Sequence, residues 1–168
     1  LGVRARLTTA PDLADFDAVV PAPFGALGVR VQAGAVREVV FLRGAAARVP
    51  QDPLAARAVR QLGAYLGDPR VAFELPLALE GTPFRRRVWD AIRAIPPGAT
   101  RTYGQIAAEL GSSARAVGQA CGDNPLPLLI PCHRVVAADG PGGFAHSGAG
   151  FHRTVKLWLL AHEAQARA

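Results

Sequence analysis

Leu27, Val29 and Val31 alternate with smaller or polar residues, Gly34 follows, and Val39 to Leu42 form a second β-rich run. Alternation at the strand period around a glycine turn predicts a β-hairpin. The period then changes. Asp52 and Pro53 open a segment in which Leu54, Ala58, Leu62, Tyr65 and Leu66 recur at helical spacing until Gly67 closes it, the order of a capped helix with proline in its first turn. Residues 68–81 hold Pro69, Pro76 and Gly81 around a short apolar stretch and read as a linker. The pattern therefore predicts an α/β N-terminal domain, a small sheet with a helix, over residues 1–80, and a mainly α C-terminal domain over residues 81–168.

In the second half, Thr82-Pro83 opens a helix whose apolar positions Phe84, Val88, Ala91, Ile92 and Ile95 share one face, until Pro96-Pro97-Gly98 ends it. Thr102-Tyr103-Gly104-Gln105 fits a capping box for a short helix ending at Gly111, and Ser112 or Ser113 can cap the next. Helix, tight turn, helix is the outline of a helix-turn-helix. In its second helix Ala116, Val117, Ala120 and Cys121 are expected to face inward, with Arg115, Gly118, Gln119 and Gly122 on the other side. Glycine costs a helix about 1 kcal/mol relative to alanine, so such a face implies close approach by a bulky partner. Duplex DNA and a packed neighbouring helix both meet that description.

Composition narrows the classes. Half the residues are hydrophobic, and no apolar run approaches the roughly 20 residues of a membrane span. No signal peptide is recognisable near Leu1, so an intracellular, cytoplasmic protein is expected. The absence of methionine suggests a processed or trimmed chain. Formal charge is +6, and Lys156 is the single lysine among the basic residues. The excess lies in the second half, where basic residues outnumber acids while the first half is nearly balanced. Arginine's planar fork suits phosphate, so nucleic acid becomes a reasonable partner, against the alternative of a solvated basic face.

Leu128 to Ile130 reads as a buried strand that delivers Pro131-Cys132-His133-Arg134-Val135. A thiolate is the attacking form of cysteine, and it needs a base or a positive charge close by. His133 and Arg134 offer both; equally, a free cysteine is commonly one more small buried residue. Cys121 and Cys132 are the only cysteines, too few for a disulfide scaffold or a cysteine-rich zinc site. His146, His152 and His162 lack acid or cysteine partners at ligand spacing, so no metal and no cofactor is expected.

These motifs resemble the O6-alkylguanine-DNA alkyltransferases, also called methylated-DNA-protein-cysteine methyltransferases. The likeness runs through Gly81-Thr82-Pro83-Phe84, Thr102-Tyr103-Gly104-Gln105-Ile106-Ala107, Arg115-Ala116-Val117-Gly118, Asn124-Pro125, Pro131 to Val135 and Trp158 to Glu163, in the family's order. Pro23-Phe24-Gly25 and the hairpin are similar, more loosely, to the family's small N-terminal domain. The resemblance implies a single-turnover repair enzyme that moves an alkyl group from O6 of guanine in duplex DNA to Cys132. His133 would deprotonate Cys132 through a water, and Glu163 would orient His133. Tyr103 would serve the leaving guanine, Asn124 would hinge the recognition helix to the active-site turn, and Lys156 would stand near the active-site loop. Arg115 would fill the gap left by a flipped base, and Gly118, Gln119, Thr102, Tyr103 and Arg134 would contact DNA. Pro131, Val135, Phe144 and Ser147 would line the alkyl pocket. The chain departs from the family between Phe144 and Trp158, where it is longer, and Ala145-His146-Ser147-Gly148 replaces the usual aromatic and glycines. A monomer is expected.

Three other readings compete. An alkyltransferase-like protein would bind the lesion without the cysteine, which Cys132 argues against. A cysteine hydrolase would need adjacent residues to act as nucleophile and base, with no acyl-binding signature in view. A helix-turn-helix transcription factor would need base-reading side chains on a face that is mostly glycine.

Overall fold

The computed structural model describes residues 15–44, 46–143 and 150–167. They fall into two compact units, one within Arg6–Leu79 and one within Glu80–Ala168.

The first unit is an antiparallel meander with one helix. Strands β1 (Ala18–Ala22), β2 (Gly25–Gln32) and β3 (Ala35–Leu42) lie in the order β1-β2-β3. Ala33 and Gly34 join β2 to β3, both with positive φ (51° and 75°), the backbone that matches the twist of a two-residue hairpin. β1 does not appear in the sequence pattern, because Ala18-Val19-Val20 is a continuous buried run without alternation and Pro21 follows it. Gly25 is required at the β1–β2 turn: its φ is 141°, and a Cβ there would overlap the carbonyls of Leu42 and Arg43. Helix α1 (Pro53–Gly67) begins where Asp52 accepts the amides of Leu54 (2.8 Å) and Ala55 (3.1 Å), and it buries Ala55, Ala58, Leu62 and Tyr65. The segment expected to be a linker is tied to this unit instead. Glu74 exchanges backbone hydrogen bonds with the Gln61 side chain, and Val36 exchanges backbone bonds with Pro76 and Ala78.

The second unit is mainly helical. It contains α2 (Pro83–Arg93), the short β4 (Arg101–Thr102), α3 (Tyr103–Leu110), α4 (Ala114–Gly122), β5 (Val135–Val136) and α5 (Phe151–Ala164). The α3–α4 pair forms where the capping box predicts it. Thr102 Oγ1 accepts the Gln105 amide (3.0 Å), Gln105 Oε1 accepts the Thr102 amide (2.9 Å), Gly111 ends α3 at φ 65°, and Ser113 caps α4. Trp89 on α2 is buried and donates its indole N–H to Ala120 O at 3.0 Å, which locks α2 to α4. Two of the three consecutive arginines near the start of α2 are committed within the unit: Arg85 pairs with Asp123 at 2.6 Å, and Arg87 donates to Leu110 O at 3.2 Å.

Two sequence expectations are corrected here. Leu128–Ile130 is buried but is not a strand: Leu128 sits at φ 72°, and the Ile130 amide turns back to Leu126 O at 2.8 Å. Pro125 and Pro127 supply no ladder donors, and a short apolar run alone does not distinguish a strand from any other buried segment. Gly122, expected on the outer face of α4, is buried at the helix end, where the chain turns in toward Asn124. The exposed face is Arg115 and Gln119 with half-buried Gly118 between them, whose nearest neighbour to a Cβ would be the Tyr103 ring at 4.0 Å.

Candidate active site

Cys132 opens a 3-10 turn, Cys132–Arg134, immediately after the folded-back Leu126–Ile130 segment. Left-handed backbone at a leucine costs about 1–3 kcal/mol and persists only where the surroundings enforce it. Here full burial of Leu126, Leu128 and Ile130 enforces it, and the result aims the Cys132 sulfur at Asn124. Asn124 is saturated: Nδ2 donates to Ile130 O (2.8 Å) and to Cys132 Sγ (2.9 Å), and Oδ1 accepts the Leu126 amide (2.9 Å). One side chain thus holds the turn and presents an N–H to the sulfur, a contact that favours the thiolate. As a thiol, Cys132 has Cys121 O as its acceptor at 3.6 Å.

The next two residues share one carboxylate. His133 is fully buried, and Glu163 Oε1 lies 2.8 Å from its Nε2. The oxygen stands off the N–H axis, so neither ring nitrogen makes an aligned hydrogen bond to a protein atom. At 2.8 Å the attraction is nevertheless that of an ion pair in waiting, and proximity outweighs the imperfect angle. The hydrogen belongs on Nε2, facing the carboxylate, which leaves Nδ1 as the basic atom. Burial holds the His133 pKa below its ordinary value, against the upward pull of Glu163, so the ring is neutral near pH 7 and able to accept a proton.

Arg134 does not reach outward. Its Nε and Nη2 form a fork on Glu163 Oε1 and Oε2 (2.8 and 2.7 Å), and Nη1 donates to Ile95 O at 2.6 Å. The expectation that Arg134 contacts DNA is therefore corrected: its guanidinium is buried and bound to Glu163 and Ile95 O. Burial pushes the Glu163 carboxyl up, but the Arg134 fork and its charge, with the His133 ring close by, prevail and hold it at about 2.

A second cluster forms around Lys156, which is fully buried on the same inner face of α5 as Val155, Leu159 and Glu163. Its ammonium donates to Val135 O and Gly143 O, both at 2.8 Å, and to the Tyr103 hydroxyl at 3.4 Å, while Tyr103 donates to Gly143 O at 3.2 Å. Burial lowers the Lys156 pKa to about 8 and, for Tyr103, raises it well above the usual phenol value. Tyr103 therefore stays a protonated donor at neutral pH. Gly142 sits against its ring at φ 75°, where a Cβ would come within 2.9 Å of Tyr103 Cε2. Gly142→Ala should displace the tyrosine or the turn and lower the melting temperature by several degrees, with an expected cost of about 1–3 kcal/mol, measurable by calorimetry.

Pro131 and Val135 are buried on either side of the turn, and Thr102 is half-buried at the start of α3. Phe144 and Ser147, expected in the pocket, and His146 lie outside the described residues. Among the described residues no cluster of three or more His, Cys, Asp or Glu side chains could hold a metal ion. Missed from sequence was the Arg134 fork; its signal was an arginine in an otherwise buried pentapeptide, where a guanidinium must find a carboxylate.

The family profile of the 6-O-methylguanine DNA methyltransferase DNA-binding domain matches residues 83–165. A methylated-DNA-protein-cysteine methyltransferase of Mycobacterium leprae is 44% identical over 68% of this chain and 68% of its own length. The chain belongs to this family. A relative of the same name from Mycolicibacterium paratuberculosis is 51% identical, over 64% of each chain, so the alignment spans just under two thirds of that protein. The likeness extends over both units in the crystal structure of Mycobacterium tuberculosis OGT in complex with DNA, with a TM-score of 0.72, 36% identity, and coverage of 88% of this chain and 91% of that one. As in the fold class read from the pattern, an α/β N-terminal part precedes a mainly α C-terminal part that carries the family's matched residues.

Proposed function

We propose that this chain repairs O6-alkylguanine in duplex DNA by transferring the alkyl group, irreversibly, to Cys132. The observation that carries the reading is the arrangement of one sulfur held by Asn124 beside a neutral, buried His133 that faces the Glu163 carboxylate. His133 takes the Cys132 proton through a bridging water at Nδ1, and the imidazolium that forms is stabilised by Glu163. The thiolate attacks the alkyl carbon in line: the S–C bond forms, the C–O6 bond breaks, and the electron pair leaves with guanine. Tyr103, still protonated, donates to the departing base; Lys156 anchors that hydroxyl and restores its charge balance. The S–C bond of the product thioether is not activated toward a second displacement, so no later step frees Cys132 and each chain acts once.

A base in the stack is out of reach of a buried sulfur, so the nucleotide must be everted at a cost of a few kcal/mol. The outer face of α4 suits the approach: Gly118 leaves room for the backbone, Gln119 and Thr102 are available for hydrogen bonds, and exposed Arg115 fills the vacated stack. Pro131, Val135, Phe144 and Ser147 are assigned to the alkyl pocket. We assign the activity to the cytoplasm, where cysteine stays reduced; no helix among the described residues is long and apolar enough to cross a membrane.

Incubation with a duplex containing O6-methylguanine should add the mass of one methylene to the peptide carrying Cys132. Cys132→Ala should show no gain while still binding the duplex. Multiple turnover, or a methyl group on another residue, would refute the reading. Arg115→Ala should slow repair in duplex DNA by roughly tenfold or more, the rate equivalent of the flipping cost, and leave reaction with the free base nearly unchanged; equal slowing of both would remove the flipping role.

A further inference from the structure

Cys121 takes no part in the transfer, yet it is buried beside the acceptor. It lies on the inner face of α4, and its carbonyl oxygen is 3.6 Å from Cys132 Sγ. Both are free thiols, and 11 positions separate them along the chain. We propose that Cys121 is a resolving thiol for Cys132, closing a reducible disulfide with it when a peroxide oxidises the acceptor.

The chemistry balances without further reactants. Cys132 thiolate attacks one peroxide oxygen; the S–O bond forms, the O–O bond breaks, and hydroxide leaves, giving Cys132 sulfenic acid. Cys121 then attacks the sulfenyl sulfur; the S–S bond forms, the S–O bond breaks, and the leaving hydroxide takes the Cys121 proton as water. Two thiols have lost two hydrogens, and one peroxide has become two waters. A site that admits the alkyl group of a nucleotide admits a peroxide.

The neighbourhood sets the order of events. The Cys121 thiol is pushed well above its ordinary pKa, first by the adjacent Cys132 sulfur and then by burial, while Lys156 pulls it down. Cys121 therefore stays a thiol while Cys132 is the sulfur that meets the peroxide. Conversion of Cys132 to neutral sulfenic acid removes the largest of these obstacles and leaves the Lys156 contribution in place, so the resolving thiol is released for attack by the oxidation it answers. Without a resolving thiol, sulfenic acid proceeds to sulfinic and sulfonic acids, which are irreversible. For a protein that acts once per chain, that path destroys the acceptor before it meets a lesion. The disulfide itself requires only the two sulfurs; its consequence, reversible loss of alkyl acceptance, rests on the acceptor role proposed for Cys132.

The test is oxidation of the full reduced chain with hydrogen peroxide, followed by intact mass, peptide mapping and methyl uptake before and after dithiothreitol. The wild type should lose the mass of two hydrogens, join the Cys121 and Cys132 peptides within one chain, and regain both mass and methyl uptake on reduction. Cys121→Ser and Cys121→Ala, which take up methyl normally before oxidation, should instead gain oxygen at Cys132 and recover roughly tenfold less uptake or worse. Oxygen gain at Cys132 of the wild type without joined peptides overturns the proposal, as does a disulfide between two chains or equal rescue of the variants. The wild-type mapping decides the matter even if a variant fails to fold. Failure of the unoxidised protein to accept methyl would refute the functional reading alone, because the joined peptides report the disulfide independently.

Discussion

Arg134→Ala should lower the unfolding free energy by about 3–5 kcal/mol, the cost of breaking a buried ion pair from one side. The wild-type carboxylate of Glu163 is compensated by a fork from Arg134 at 2.8 and 2.7 Å and by His133 at 2.8 Å. Removing the guanidinium leaves a buried charge beside a neutral ring and orphans Ile95 O, which had accepted Nη1 at 2.6 Å. Arg134→Lys should recover little, since a point-like ammonium cannot reproduce the fork.

The same variant should change the acid profile. In the wild type, Glu163 titrates at about 2 instead of its ordinary 4.5. A depressed carboxylate pKa means that its stabilisation is complete above about 4.5 and is lost as pH falls toward 2. In Arg134→Ala, burial of Glu163 loses its main opposition, so the loss of stability across this window should shrink or reverse. Urea midpoints at a series of pH values between neutral and acid check both points. A variant with wild-type stability and an unchanged acid profile would show that the fork holds nothing.

Asn124→Ala should slow methyl transfer sharply. The substitution deletes the donor at 2.9 Å from Cys132 Sγ and the contacts that shape the turn, at Ile130 O and the Leu126 amide. A hydrogen bond to a charged group contributes about 1.5–3 kcal/mol, so its loss from the thiolate alone predicts methyl uptake slower by roughly tenfold to a hundredfold. The turn loses support as well, since buried Ile130 O and the Leu126 amide keep their polarity and lose their partner. Asn124→Asp distinguishes the two roles: its carboxylate can still accept from Leu126 but presents negative charge instead of a donor to the sulfur. It should retain more stability than the alanine variant and be slower still in single-turnover methyl transfer. Uptake at the wild-type rate in either variant would remove Asn124 from thiolate stabilisation.

Much of the local structure was legible in the order of residues. The Ala33-Gly34 turn, the Asp52-Pro53 start of α1, the Thr102/Gln105 box and the Ser113 cap depend on contacts within a few positions, so composition at those positions suffices to predict them. Where a reading failed, burial had decided. Leu128–Ile130 has the composition of a strand, but flanking prolines and burial fold it back on Leu126.

The candidate site divides in the same way. The chain's own order places Cys132, His133 and Arg134 side by side, supplies one lysine and a basic second half, and sets Val155, Lys156, Leu159, His162 and Glu163 on one face of a helix. Only packing decides which of these meet. Arg134 turns inward because Glu163, 29 positions away, is the anion that its buried guanidinium can reach; Lys156 finds Tyr103 across 53 positions; and α4 brings Cys121 against Cys132. Caps and turns are encoded by neighbours along the chain. Pairings of charge and sulfur across it depend on the burial of helix faces that no local pattern specifies.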